Sequence, residues 1–330
     1  MTRIVVFGAG AIGCWVGGRL AAGGSDITLI GRPRVMSECA SGLRTSELHG
    51  GTRTATPTLA TDAAAAAGAD LVLVTVKSAA TADAARELAP HLGPRAVIVS
   101  LQNGVRNVRV LRDALPDHRV LAGMVPFNVI RRAPGQYHRA SAGVLMFESS
   151  DAAAPLSDAC LRADLPFELR DDMPAVQWSK LVLNLNNPIN ALSGVPLAQE
   201  LGDRDFRRCL AAAQREAVAL IRAADQPLAR VTALPTPWLP RLLTVPDGLF
   251  KLLAGKVVAI DPTARSSMWD DLEAKRPTEI DYIAGEIVAL AERLGTKAPV
   301  NARLIQLVRE AERGGKRDFT GAQLREALAV

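Results

Sequence analysis

Residues 3–13 read RIVVFGAGAIG. Ile4, Val5, Val6 and Phe7 form an unbroken apolar run, long enough for one buried strand. Gly8, Gly10 and Gly13 follow at G-x-G-x-x-G spacing, and residues 11–22 are the small and apolar set of a closely packed helix. Strand, glycine turn and helix in this order open a dinucleotide-binding unit. Each glycine answers a separate need: Gly8 the sharp turn, Gly10 the approach of a pyrophosphate to the backbone, Gly13 the close seating of helix on strand. Ala9, Ala11 and Ile12 complete the loop, whose helix N-terminus offers free N–H groups and partial positive charge to phosphate. The same glycines also fit a tight turn with no ligand; their place between strand and helix favours the nucleotide.

Working outward, residues 27–30 read as the second strand, ending in Gly31, Arg32, Pro33 and Arg34. In a dinucleotide unit this strand end meets the adenosine ribose. NAD is recognised there by a carboxylate, yet the first carboxylate is Glu38, and arginines stand in its place. Guanidinium suits a 2′-phosphate, so the expected cofactor is NADP(H), with Arg32 the better candidate; the alternative is a pair of solvated loop arginines. Residues 42–59 suggest short strands. LVLVTV at 71–76 reads as a strand buried on both faces, ending at Lys77. A helix over 79–88 stopped by Pro90, a strand over 96–100 ending in Leu101, Gln102, Asn103 and Gly104, and strands over 120–125, 144–148 and 167–169 follow. This alternation implies a parallel sheet with right-handed crossovers, and ligands of such sheets bind at the carboxyl ends of strands. Lys77 and Asn103 occupy two such ends.

Near Asp171–Pro174 the pattern changes. Beyond it apolar residues recur at helical spacing, with one long amphipathic helix over 207–224, a proline-rich irregular loop over 226–246, and helices again from Asp247. The expected organisation is therefore an α/β nucleotide-binding domain over 1–172 and an all-α substrate domain over 173–330.

Residues 178–194 read WSKLVLNLNNPINALSG. On a helix of about 100° per residue, Asn184 falls about 40° and Asn187 about 20° from Lys180. One ammonium and two amides thus share a face, and Pro188 is expected to kink the helix just past them. A solvated polar face is the plain alternative, but asparagine is a poor choice for an exposed helix interior. Reduction of a carbonyl places growing negative charge on oxygen, which needs a proton donor and fixed hydrogen-bond donors. The four histidines, His49, His91, His118 and His138, fall on no evident helical site face. A desolvated lysine can take the acid role, so Lys180 is the candidate donor, with Asn184 and Asn187 orienting the substrate. In residues 264–285, Ser266 and Ser267 offer hydroxyls, and Thr278 is a candidate cap for a helix beginning at Glu279.

The 330-residue chain is 48% hydrophobic and 22% charged, with a net charge of +5. Its basic residues are dispersed and aromatics make up only 4%, which argues against nucleic acid as partner and for a small ligand bearing phosphate or carboxylate. Cys14, Cys39, Cys160 and Cys209 are scattered, suggesting neither a zinc site nor a disulfide framework. No run of residues has membrane-spanning length, and a strand beginning at Arg3 leaves no room for a signal peptide, so the expectation is a cytoplasmic protein with no membrane partner. The apolar helical region is compatible with a homodimer.

These motifs resemble the ketopantoate reductase (2-dehydropantoate 2-reductase) family over nearly the whole chain. The resemblance is carried by GAGAIG at 8–13, TVK ending at Lys77, QNG at 102–104, WxKLxxN at 178–184, NPxxA at 187–191, SSM at 266–268 and RPTEID at 276–281. It implies a Rossmann domain joined to a helical domain like that of 6-phosphogluconate dehydrogenase, and NADPH-dependent reduction of ketopantoate to pantoate, toward pantothenate. By position, Lys180 corresponds to the proton donor, Lys77 and Asn103 to cofactor-side residues with Asn103 also near substrate, Asn184 and Ser267 to substrate contacts, and Glu279 to a cofactor contact. Two departures stand out. The family's second substrate asparagine falls on Pro188, with Asn187 one residue early, and a further asparagine aligns near Leu197. These changes keep open another branched 2-oxo acid as substrate, and, in a different class, a sensor that binds NADP(H) without turnover.

Overall fold

The computed structural model describes residues 2–254 and 263–330. The chain forms two compact units, Met1–Met173 and Pro174–Val330.

The first unit holds strands β1 (Arg3–Phe7), β2 (Asp26–Ile30), β3 (Leu43–Glu47), β4 (Gly50–Ala55), β5 (Thr58–Ala60), β6 (Leu71–Val74), β7 (Val97–Ser100), β8 (Arg119–Met124), β9 (Val129–Ala133), β10 (Gln136–Arg139), β11 (Leu145–Glu148) and β12 (Phe167–Arg170). Its helices are α1 (Ala11–Ala22), α2 (Pro33–Cys39), α3 (Thr81–Leu88), α4 (Asn107–Ala114) and α5 (Ala154–Arg162). The main sheet runs β12-β11-β8-β7-β6-β1-β2-β5. β1 lies between β2 and β6, parallel to both, with Ile4 to Phe7 paired against Leu71 to Val74. Both runs are buried, as continuous apolar strands require. From β1 the chain passes to β2 on one side and returns to β6 on the other. The topological switch point, where such sheets bind ligands, is thus at the carboxyl ends of β1 and β6.

A second sheet, β4-β3-β10-β9, was only half legible in the sequence. Strands over 42–59 were expected, but the β9–β10 hairpin, closed by Pro134 and Gly135, was not. Helix α1 packs between the two sheets, which explains why it is apolar nearly all round. A Cβ on Gly17 would press on Leu29 and Val6 of the main sheet, while one on Gly18 would meet Leu43 and Thr45 of the second. The fully buried Trp15 donates from Nε1 to the Ser46 carbonyl at 3.1 Å and meets the Phe127 ring edge-on at 5.0 Å. A further difference is direction: β11 pairs antiparallel with β8, because the β9–β10 hairpin intervenes and returns the chain from the opposite side.

In the second unit the described residues form helices α6 (Met173–Asn184), α7 (Asn186–Ser193), α8 (Leu197–Gly202), α9 (Arg204–Ala223), α10 (Leu239–Leu243), α11 (Asp247–Ala254), α12 (Ser267–Glu273), α13 (Ala284–Arg293), α14 (Pro299–Glu312) and α15 (Gly321–Leu328), and no strand. α9 is the hub: Phe206, Leu210, Ala213, Ala217 and Ile221 recur at helical spacing on its buried face, against which α8, α10, α13, α14 and α15 pack. The segment over 226–246 is more ordered than its five prolines suggested. It contains a 3₁₀ turn, Thr236–Trp238, and α10. Pro237 and Pro240 occupy the first turns of these elements, where proline's missing N–H has no helical partner to lose. The segment is pinned to α6, since the Ser179 and Thr236 hydroxyls both donate to the Ala229 carbonyl at 2.9 and 3.0 Å. Among the described residues no helix is long and apolar enough to cross a membrane.

Candidate active site

Gly8 has φ of +114°, a conformation that L side chains rarely adopt, and a Cβ there would lie 2.6 Å from the Val76 nitrogen. The N–H groups of Gly8 and Ala9 both donate to the Ile30 carbonyl, at 3.0 and 3.1 Å. Thr75 reinforces the turn by donating its hydroxyl to the Gly8 carbonyl at 2.6 Å. A Cβ on Gly13 would run into that same carbonyl and come within 2.6 Å of Thr75 Oγ1, so Gly13 is what lets α1 start against the strand. Gly10 differs: nothing lies within 4 Å of its Cβ position. It begins α1 with no side-chain cap and no acid in the first turn, leaving the N–H groups of that turn uncapped for an anion. The residues present therefore fit a dinucleotide pyrophosphate.

Arg32 follows β2 directly. Gly31 lies against Ala9 of the glycine turn, and the exposed Arg32 side chain makes no hydrogen bond or ion pair among the described residues. Arg34, by contrast, is paired with Glu38 at 3.1 Å, and Glu38 also holds Arg131 at 2.8 Å. Local pairing thus occupies Arg34 and leaves Arg32 for a ligand.

Lys77 and Asn103 stand just past the ends of the neighbouring strands β6 and β7. A side-chain network fixes the two segments together. Gln102 donates to the Val76 carbonyl at 3.0 Å and to Thr81 Oγ1 at 2.8 Å; Ser78 donates to the Asn103 carbonyl at 3.1 Å; Asn107 donates to Ser78 Oγ and to the same Asn103 carbonyl. Gln102 is buried, with its Oε1 receiving the Ser100 hydroxyl at 3.0 Å. Sequence reading passed over these supports; a QNG run placed at a buried strand end was the available signal.

In the second unit, Lys180 and Asn184 lie one turn apart on α6. The Lys180 side chain is half-buried, and desolvation pushes its ammonium from 10.5 down to about 8. Asn184 is buried. The expected single helix through Asn187 is corrected: it breaks at Leu185, ahead of Asn187 rather than past it, and α7 starts at Asn186. The reason is Pro188, which lacks the N–H that the Asn184 carbonyl would accept and whose ring clashes with that carbonyl. Asn187 therefore belongs to a different helix from Lys180, and one helical wheel does not relate them.

What Asn187 does adjoin is the start of α12. Its carbonyl accepts from Ser266 Oγ at 3.2 Å, and Ser266 Oγ in turn caps α12 by accepting from the Trp269 N–H at 3.1 Å. Ser266 is thus committed to structure, while Ser267 keeps its hydroxyl exposed at the first position of the helix. Ser266 N donates to Asn190 Oδ1 at 2.8 Å, and the Asn190 amide donates to Glu200 Oε2 at 2.8 Å and to the Val195 carbonyl at 3.0 Å. Neither Asn190 nor Glu200 was read as a site residue. Leu197, where the resemblance led one to look for a further asparagine, is buried at the start of α8. Glu279 precedes a 3₁₀ turn, Ile280–Tyr282, instead of opening the longer helix; Thr278 Oγ1 does accept from the Ile280 N–H, at 3.3 Å. The four cysteines are all buried free thiols, and among the described residues no His, Cys, Asp and Glu cluster could hold a metal ion.

Comparison with known proteins agrees across both units. Residues 4–151 match the family model for ketopantoate reductase PanE/ApbA, and residues 172–312 match that for ketopantoate reductase PanE/ApbA C terminal. The 2-dehydropantoate 2-reductase of Halobacterium salinarum is 31% identical over 95% of this chain and 100% of its own. The crystal structure of a PanE/ApbA family ketopantoate reductase from Ralstonia eutropha JMP134 superposes with a TM-score of 0.81 at 30% identity, covering 95% of this chain and 99% of that one. A D-mandelate dehydrogenase structure with NADH and anilino(oxo)acetate shares the fold with a TM-score of 0.79 at 20% identity, covering 95% and 99% of the two chains. With both family models matched in order along one chain, and a relative aligned end to end, this protein belongs to the ketopantoate reductase PanE/ApbA family, a family of oxidoreductases.

Proposed function

We propose that the protein catalyses NADPH-dependent reduction of 2-dehydropantoate to (R)-pantoate, a step toward pantothenate, with Lys180 as proton donor. When bound, the cofactor supplies the hydride. Lys180 protonates the oxygen on which charge develops as the C2 carbonyl is reduced. The observation that carries this reading is the half-buried Lys180, whose lowered ammonium pKa of about 8 keeps it mostly protonated at neutral pH yet makes it a better acid than an exposed lysine. Asn184 on the same helix, with Asn187 and Ser267 around the start of α12, orients the hydroxyl and carboxylate groups of a 2-oxo acid. Gly8 to Gly13 cradle the pyrophosphate, Arg32 takes the 2′-phosphate, and Lys77, Asn103 and Glu279 complete the cofactor contacts. The names of the curated relatives support the substrate.

Lys180→Ala tests this. Turnover is expected to fall by at least about 100-fold, as for loss of a general acid, with NADPH affinity retained. Near-full turnover would remove Lys180 from the chemistry. A second reading keeps the reaction and changes the acid: with buried Leu197 aligned near one substrate asparagine, another branched 2-oxo acid fits, and kcat/KM across a 2-oxo acid series decides between them.

A further inference from the structure

Glu200 of α8 is fully buried. Its Oε2 accepts from Asn190 Nδ2, but among the described residues its Oε1 has no hydrogen-bond partner, and neither has the buried Oδ1 of Asn186. The Asn186 amide lies against this same carboxyl. Two buried oxygens in this state are both acceptors, and leaving either unpaired costs about 1–3 kcal/mol. No cation pairs with this carboxyl among the described residues, so a proton on Glu200 removes a buried charge that amides alone would have to compensate.

We propose that Glu200 is a positioning residue of this enzyme, a buried neutral carboxylic acid that accepts from Asn190 and so fixes the start of α12 for substrate. The chain of contacts is short. Glu200 holds Nδ2 of Asn190; Asn190 Oδ1 holds the Ser266 N–H; Ser266 holds the Asn187 carbonyl; Ser267 is the next residue. Asn190 uses both its donors and its acceptor, so its amide has one orientation, set from the Glu200 side. Ionisation of Glu200 would put an anion in this buried site with no cation among the described residues to pair it, and loosen this arrangement.

Among the described residues, the nearby charged groups are engaged elsewhere. Arg207 of α9 donates to the carbonyls of Leu201, Gly202, Leu243 and Val245 and pairs with Asp247. Arg204 donates to the Thr244 carbonyl, and Arg265 to the Gly194 carbonyl. On α12, Asp271 pairs with Arg276, and Asp270 is raised to about 6 by burial and by Asp271. Burial and the two amides are what act on the Glu200 carboxyl, and burial dominates, pushing it from 4.5 up to about 8. Glu200 therefore holds its proton at neutral pH and loses it in mildly alkaline solution.

The proposal rests on the reading of Ser267 and Asn187 as substrate contacts, but its first test does not depend on turnover. Infrared difference spectra of wild type minus Glu200→Gln at pH 7 should show the C=O stretch of one protonated carboxyl, fading above pH 8; absence of that band overturns the proposal whatever the enzyme does. The second test reads kinetics. Glu200→Gln keeps a neutral carbonyl acceptor for Asn190 without a titratable proton, so KM for the 2-oxo acid should stay within about twofold of wild type at pH 7 and no longer rise at pH 9, where wild-type KM rises about tenfold. Glu200→Ala should raise KM about tenfold at pH 7 with kcat changed less than about threefold. An alkaline rise in KM that persists in Glu200→Gln overturns the proposal. If the wild type shows the band yet reduces no 2-oxo acid, the functional reading fails and the Glu200 assignment stands.

Discussion

Replacing Lys180 by methionine removes the ammonium while keeping most of the side-chain volume, and it should make the protein more stable as it makes it inactive. Burial pushes the Lys180 ammonium from 10.5 to about 8. A displacement of that size corresponds to about 3 kcal/mol at neutral pH. Because the side chain is only half-buried, and because methionine abandons whatever the ammonium contacts, the expected gain at pH 7 is about 1–3 kcal/mol. The sign follows from proton counts. Below the folded-state value of about 8 the charge is present in both folded and unfolded chains, and the full penalty falls on the folded state. As pH rises from 8 toward 10.5 the folded protein sheds the proton first, and the penalty disappears. At pH 10 the advantage of Lys180→Met should therefore shrink to below about 1 kcal/mol. Urea unfolding at pH 7 and at pH 10, with the m-value compared to confirm that the same surface unfolds, measures both differences. A methionine variant no more stable than wild type at pH 7, or a difference unchanged between the two pH values, would refute the claim that Lys180 is held desolvated against its own stability.

Other expectations follow from the same geometry. Arg32→Ala should weaken NADPH binding by about 10–100-fold, the value of a charge-assisted contact to phosphate, and leave NADH nearly unchanged; equal losses, read by fluorescence titration, would remove Arg32 from 2′-phosphate recognition. Gly13→Ala should destabilise the first unit by more than about 2 kcal/mol in thermal unfolding, because its Cβ collides with the Gly8 carbonyl and Thr75 Oγ1, whereas Gly10→Ala should fold normally and lose cofactor affinity, since its Cβ position is empty. Ser266→Ala should lower stability by about 1 kcal/mol through loss of the α12 cap, while Ser267→Ala should leave stability unchanged and raise KM for the 2-oxo acid. The kcat of reduction should fall above pH 8 as Lys180 loses its proton, and that limb should be absent from cofactor binding.

The first unit was the more legible half. Ile4 to Phe7, Leu71 to Val74 and the glycine turn carry a continuous apolar or Gly-x-Gly signal because both faces of a central parallel strand are buried. The β9–β10 hairpin was not legible: Val129–Ala133 includes two arginines, and Gln136–Arg139 shows little apolar alternation, since the second sheet covers α1 on one face only. Pro188 was read correctly as a disruption, but its effect falls on the carbonyl four residues earlier, so the break appears at Leu185 and separates Asn187 from Lys180. The prolines over 226–246 were read as breakers because their role at helix first turns depends on where those turns begin. Lys180 and Asn184 stood out by residue type and spacing, whereas Ser267 was told apart from Ser266 only by the family resemblance. Asn190 and Glu200 did not, because a hydrogen bond between side chains of different helices leaves no periodic trace in the chain.

The central claim is tested most directly by following NADPH absorbance with purified protein, 2-dehydropantoate present or omitted, and by identifying the product. The account predicts rapid, saturable oxidation only with the 2-oxo acid, NADPH strongly preferred over NADH, and (R)-pantoate formed in equal amount. Tight NADPH binding with no oxidation in the presence of 2-dehydropantoate would contradict it.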